Sequence, residues 1–340
     1  MTHSRTARRS HGVATAQDVA RAAGVSLATV SRCFSDAARV KGETRERVFS
    51  VAAQLGYSPN IAARVLASRR SHLIGLMVDD FNDPDNLDLF RTVSAEAQKR
   101  KYHAILLNTH AENAQTGSGS IENSLLQQVD GLLVAASYLS QEMIDRCASQ
   151  DKRVVILGRK SGDPTFSSVY SENEDSAAQV ADFFHAREVR RPAFIGGDAR
   201  ATLTAERRDG FVRRVEELYG FQPIVRVVGA NDYARGVEIA LVLRTLPKPP
   251  DGYFCATELL AVGLLDGLQK GTGSADADVP LVVGFGSSTL SRLDRYKFPS
   301  VTFPMEEMVS TATSHLIDTI GEGRTAPRRI PFRCVLREYS

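Results

Sequence analysis

No stretch of these 340 residues is apolar for long enough to cross a bilayer. The cationic opening, Met1 to Ser10, lacks the apolar run that a secretory signal needs after it, so a cytoplasmic protein is expected and an exported one is not. Only four cysteines occur, Cys33, Cys147, Cys255 and Cys334, widely spaced and with no CxxC pair. That pattern predicts neither a metal site nor a disulfide framework. No glycine fingerprint follows a strand, and no set of acid, base and nucleophile is legible, so neither a cofactor nor a catalytic residue is expected. Gly117-Ser-Gly-Ser120 and Gly271-Thr-Gly-Ser274 lack the lysine and spacing of a phosphate loop and read as flexible loops.

What is present is a strong asymmetry of charge. The net charge of +2 divides into +8 over residues 1–72, with 12 cations and 4 anions, and −6 over the remainder. A basic N-terminal unit of this kind is either a solvated face or the electrostatic footprint of a nucleic-acid-binding module. Apolar residues at 43% and charged residues at 24% fit a globular chain, and its length predicts a small unit joined to a larger unit that is itself divided in two.

Helical signals decide between the two readings. Thr15-Ala-Gln-Asp18 is a capping-box start for a helix over Ala16 to Ala23. Gly24 suits a left-handed turn, and Ser26 can cap a second helix through Leu27, Val30 and Phe34. In Ala20-x3-Gly24-x5-Val30 the small residue lets two helices approach, the glycine turns the chain and the branched residue fills the angle. A third helix, about Glu43 to Leu55, places Val48, Ala52 and Leu55 on one face to close a small core. This is a helix-turn-helix pattern.

The run Thr15 to Arg32, followed by Thr44-Arg-Glu-Arg-Val48 and Leu55-Gly-Tyr-Ser-Pro-Asn60, closely resembles the lactose/galactose repressor family. The resemblance implies double-stranded operator DNA as partner, with the second helix in the major groove. Leu27, Ala28 and Ser31 would then face base edges and Arg32 bases or phosphates. Leu27 and Ala28 would either meet thymine methyls or simply permit close approach. Thr15, Ser26, Thr29 and Asn60 resemble phosphate-positioning groups. The segment Asn60 to Ser68, with Ala63 and Leu66, is similar to the family's hinge helix, which pairs across the minor groove with Leu66 as a wedge; the other reading is a linker helix with Leu66 as a packing contact. The family also implies a homodimer, and leaves open whether dimers pair into tetramers.

From Leu73 onward apolar runs alternate with helix-compatible segments. Strands are predicted at Leu73–Val78, Ala104–Leu107, Gly131–Ala135 and Arg153–Leu157, and again near Ala193–Ile195, Ile224–Val228, Tyr253–Ala256 and Leu281–Phe285. Two βαβ lobes with parallel sheets follow, and a ligand cleft is expected beyond the carboxyl ends of their strands. The fold is thus a small all-α headpiece plus a two-lobed α/β core similar to the periplasmic sugar-binding fold. A receptor of that type would carry a signal sequence and no basic headpiece. The predicted division is a disordered basic tail over 1–13, headpiece 14–59, hinge 60–71 and core 72–340. The first lobe is placed at about 72–170 and 300–325, and the second at about 171–299 and 326–340.

Val129-Asp-Gly-Leu-Leu133, Ser168 to Asn173, Phe194-Ile-Gly-Gly197 and Arg207-Arg-Asp-Gly-Phe211 look like family landmarks, although Glu188-Val189 stands where a Gly-His pair is usual. Gly229-Ala-Asn-Asp-Tyr233, Phe285-Gly-Ser287 and Leu264-Leu-Asp-Gly267 resemble the fructose and sucrose repressor branch, which implies a sugar or sugar phosphate as effector. Gly158 replaces the acid that commonly precedes Arg159, and Met305 replaces a frequent glutamine. Arg207 is the first candidate for the ligand, since its planar fork suits hydroxyls, carboxylate or phosphate; the alternative is a surface cation. Glu258 is either a sugar-gripping acid or a first-turn acid favoured by the helix dipole. Arg159 and Asn82 complete the effector candidates; Asn82, with Asp80 and Asp83, stands at the first strand's exit, where a plain Asp-Pro turn is the competing reading.

Overall fold

The computed structural model describes residues 14–35, 40–57, 70–78, 83–108, 127–135, 147, 149–150, 152–199, 201–270, 280–288, 290–322 and 326–339. The basic tail, Asn60, Ala63, Leu66, Asn82 and both glycine-serine runs lie outside them. Contacts divide the chain into two compact units, Met1–Ser71 and His72–Ser340.

In the first unit, α1 (Ala16–Ala23) begins with a capping box: the Asp18 amide donates to the Thr15 hydroxyl, and the Thr15 amide donates back to the Asp18 carboxylate at 3.0 Å. It ends at Gly24, whose φ of 64° only a residue without Cβ adopts cheaply. After this turn α2 (Leu27–Ser35) starts where the Ser26 hydroxyl accepts the Thr29 amide at 3.1 Å. α3 (Gly42–Gln54) closes the bundle, and Val19, Ala20, Ala23, Val30, Cys33, Val48 and Ala52 are its buried core. Leu55, expected in that core, is 42% exposed. The helix has already ended there, and the aromatic side of the core is filled instead by Phe34 against Phe49 and Tyr57.

The second unit carries two six-stranded sheets. The first contains β1 (Leu73–Val78), β2 (His103–Asn108), β3 (Gly131–Val134), β4 (Arg153–Gly158) and β5 (Ser167–Ser171). The second contains β6 (Pro192–Gly196), β7 (Ile224–Val227), β8 (Gly252–Cys255), β9 (Leu281–Phe285) and β10 (Ser300–Thr302). β11 (Arg329–Phe332) then returns to the first sheet and β12 (Val335–Arg337) to the second, giving the orders β11-β5-β4-β3-β1-β2 and β12-β10-β9-β8-β6-β7. Pairing is parallel except for β12 on β10. The first sheet is covered by α4 (Pro84–Lys99) and α9 (Met305–Glu322), whose Met308, Val309, Ala312 and Leu316 enter its core. The second packs against α5 (Asn173–Ala186), α6 (Thr202–Tyr219), α7 (Tyr233–Leu243) and α8 (Glu258–Gln269).

The structure divides the lobes differently from the sequence expectation at two places. Residues 300–302 belong to the second sheet, and 329–332 to the first. Both are edge strands or short crossover strands, so neither carries the long apolar run that marks a central strand. The chain therefore passes between the lobes three times, after β5, after β10 and after β11. The first and third crossings are tied together by the Glu172 amide, which donates to the Phe332 carbonyl at 3.0 Å, and the second is tied to the loop after β9, where the Ser287 hydroxyl donates to the Phe303 carbonyl at 2.9 Å.

Candidate functional site

The headpiece presents its named side chains on one side of α2. Leu27, Ala28, Ser31 and Arg32 are exposed, while Val30 and Cys33 point into the core. Positions four apart share a helix face, so these four form a continuous outward strip. Ser26 is exposed at the head of that strip, and its hydroxyl is paired with that of Thr29 at 2.8 Å. Thr15 is exposed at the start of α1, where its hydroxyl donates to Asp18 at 2.6 Å and holds that carboxyl below its usual range. Each of these polar groups thus serves the local cap and still faces outward.

In the core, a cavity of about 150 Å³ opens between the two lobes beside the carboxyl ends of β4, β5 and β9. A water needs about 10–15 Å³ by this measure, so the space holds about ten waters or one molecule the size of a monosaccharide. Polar groups reach it from the start of α4 (Asp83, Asp85, Asn86), from α6 (Thr204, Arg207) and from Asn231. Apolar groups reach it from the second crossing and the start of α9 (Phe303, Met305, Met308 and Val309), and also from both lobes, among them Leu157 and Phe285.

Arg207 is 8% exposed, which removes the surface-cation reading. Its guanidinium donates to the Ala256 carbonyl at 2.6 Å and lies over the Phe285 ring, 3.6 Å from the centroid. Burial pulls its pKa down to about 10, against the pull of Cys334, Asp85, Glu206 and Asp83. Its Nε has no hydrogen-bond partner among the described residues.

The other described effector candidates stand behind the cavity rather than on it. Glu258 is buried at the start of α8, where the Ser288 hydroxyl and the Ser300 hydroxyl, at 2.7 Å, both donate to its carboxylate. Those two serines satisfy the group that a sugar would otherwise have to meet. Arg159 is buried near Glu206, beyond Gly158, and only Gly158 of that pair lines the cavity. Glu206 in turn accepts from Asn173 at 2.7 Å, and its carboxyl is pushed up by burial.

Asp85, Phe303, Met308 and Val309 were not singled out from the sequence, while Asn231 and Met305 drew notice there only through the family resemblance and not as candidates for the ligand. Asp85 comes from the first lobe, and its carboxylate accepts the Ser287 amide of the second at 3.1 Å. Asp83-Pro84-Asp85 reads as a helix start, which it also is: Asp83 caps α4 through the Asp85 amide at 3.0 Å. A second acid one step past a capping Asp-Pro was the available signal.

Residues 15–60 match the family described as bacterial regulatory proteins, lacI family, and residues 181–338 match a periplasmic binding protein-like domain. Catabolite control protein A of Staphylococcus xylosus is 31% identical over 330 residues, covering 94% of this chain and 98% of that protein. Among solved structures, the lac repressor dimer bound to operator and the anti-inducer ONPF superposes with a TM-score of 0.81 at 22% identity, over 96% of this chain and 99% of that one. The transcriptional regulator CelR in complex with cellobiose gives 0.70 at 25% identity, with the same coverage.

Proposed function

As the chain belongs to the lacI family of bacterial regulatory proteins, a family of DNA-binding transcription regulators, we propose that it is a repressor whose hold on operator DNA is set by a small molecule in the core cavity. The observation that carries this reading is the pairing, in one chain, of an outward helix-turn-helix strip with a cavity lined from two lobes joined by three crossings. Leu27, Ala28, Ser31 and Arg32 are assigned to the bases, and Thr15, Ser26, Thr29 and Asn60 to phosphates. Ala63 and Leu66 are assigned to a hinge over 60–71 that engages the minor groove between two copies of the chain. Arg207 is assigned to the effector, a sugar or sugar phosphate. The protein is read as cytoplasmic, dimeric and without catalytic activity; among the described residues no helix is long and apolar enough to cross a membrane.

A ligand alters DNA affinity only through its different affinity for two arrangements of the lobes. The test is a titration of the full-length chain against DNA fragments it selects from a random pool, with and without sugars and their phosphates. An effector should shift affinity by about 5–150-fold, the range of ordinary allosteric coupling. DNA binding that ignores every such compound would sink the sensor assignment, and failure to enrich any fragment would sink the regulator reading.

A further inference from the structure

One acid is held across the boundary between the lobes. Asp85 stands in the first turn of α4, which covers the first sheet, and its Oδ1 accepts the Ser287 amide, in the loop after β9 of the second sheet, at 3.1 Å. Its Oδ2 lies over Gly286, and so does the carboxyl of Glu258 from the start of α8. A Cβ on Gly286 would stand 2.7 Å from the Asp85 Oδ2, 2.9 Å from the Glu258 Cγ and 3.0 Å from its Cδ. The two carboxyls, one from each lobe, thus share the room that a missing Cβ leaves, which is a use of glycine for close approach.

The pair is unequal. Glu258 is 2% exposed, and both its oxygens accept from serine hydroxyls, Ser288 on Oε2 and Ser300 on Oε1. Asp85 is partly buried and receives one amide, so it is the member less able to hold a bare charge. The groups that face it from the surrounding elements weigh the same way. Its own helix brings Asp83, and α8 brings Glu258. From α6 comes Arg207, whose one charge is also drawn on by Glu206 and Asp83. The loop after β9 offers the Ser287 amide, and the second crossing and the start of α9 offer the apolar Phe303 and Met305. Burial, and then Asp83 and Glu258, hold the Asp85 carboxyl well above its ordinary 3.8.

Most of these causes depend on the lobes being together. If they part, Asp85 keeps Asp83 beside it but leaves Glu258, Ser287 and Arg207 behind and meets water, so its hold on a proton falls toward that of an ordinary aspartate.

We propose that Asp85 and Glu258 form a proton-sharing clasp between the lobes, so that closing the core takes up a proton and raising the pH opens it. At pH below the ordinary aspartate range both arrangements carry the proton, and pH has no leverage. Above that range, until the closed form also ionises, the closed arrangement binds more protons, and each pH unit disfavours closure by up to about tenfold. Once both arrangements are ionised the leverage ends. The clasp needs no ligand and stands apart from the sensor reading; it sets the balance of lobe arrangements on which any effector would act.

The test follows the distance between the lobes in the full-length chain. The four native cysteines are buried, so a pair of dyes can be placed through Lys99→Cys on α4 and Glu217→Cys on α6, both at exposed positions. Labelled chain is diluted into an excess of unlabelled chain, so that each pair reports within one copy. The separation should widen between about pH 5 and 8 along a curve for a single proton. Asp85→Asn, in the same labelled background, keeps the acceptor for Ser287 and sets an amide N–H where the proton was, so the lobes should keep the parent's low-pH separation throughout. Gly286→Ala fills the room between the carboxyls and should hold the lobes at the parent's high-pH separation even at low pH; if melting shows it unfolded, Asp85→Asn decides alone. A parental separation indifferent to pH overturns the clasp, and so does a titration that survives in Asp85→Asn, because the proton would then reside elsewhere.

Discussion

Asp85 is a side chain shared by two lobes, because it belongs to α4 and accepts a hydrogen bond from the second lobe at Ser287. Burial holds its carboxyl well above the ordinary 3.8, with Asp83 and Glu258 adding to the rise and the Ser287 amide and Arg207 opposing it. The unfolded chain releases this proton near pH 4, while the folded chain keeps it to higher pH. Between those values the folded state binds more protons, so this group lowers stability as pH rises and has no further effect once both states are ionised. Asp85→Asn keeps the acceptor for Ser287 and removes the titration. Melting curves between pH 4 and 8 should then show a Tm that falls less with pH than the parent's; parallel profiles would acquit Asp85. The site was only partly legible at this scale. Arg207 stood out because a planar cation heads a recognisable run, but a first-turn acid such as Glu258 has the same sequence signature whether it grips a ligand or not. Ser288 and Ser300, 30 and 42 residues further along, decided its role, and no local pattern carries that pairing.

Helices and central strands were the readable elements, since each rests on a local cause. The capping box at Thr15, the turn at Gly24 and the apolar runs of β1, β3, β4, β6, β8 and β9 are all written in consecutive residues. β5, with Ser167-Ser-Val-Tyr-Ser171, and the short β10, β11 and β12 carry no such run and are strands only because a neighbour pairs with them. Two predictions belong here. Thr15→Ala removes the cap of α1 and should cost about 1 kcal/mol, seen as faster amide exchange over Ala16–Ala23 with the core unaffected. Gly263 lies where α7 and α8 touch, and a Cβ there would stand 2.1 Å from the Tyr233 carbonyl oxygen. Gly263→Ala must push the two helices apart, at a cost of about 1–3 kcal/mol. A Tm equal to the parent's would mean that this contact has slack.

For the whole molecule, the split of charge makes the salt response a property of the headpiece. Two headpieces on a near-palindromic site should protect half-sites one helical turn apart, and log K should fall by about 0.9 per phosphate neutralised as log salt rises. Protection of a single half-site in footprinting would count against the paired arrangement. The core poses a different problem, because its order in space does not follow its order in the chain. The first sheet takes its outer strand from residues 329–332 and the second from residues 335–337. During synthesis the headpiece, held by contacts between near neighbours, can form as soon as it emerges, whereas both halves of the core must wait for one short stretch made some 250 residues later. A chain arrested before Arg329 would leave β5 and β10 with bare edges, the usual template for self-association. Such a product should appear in the insoluble fraction, and a nascent chain at that stage would depend on chaperones to reach its finished form.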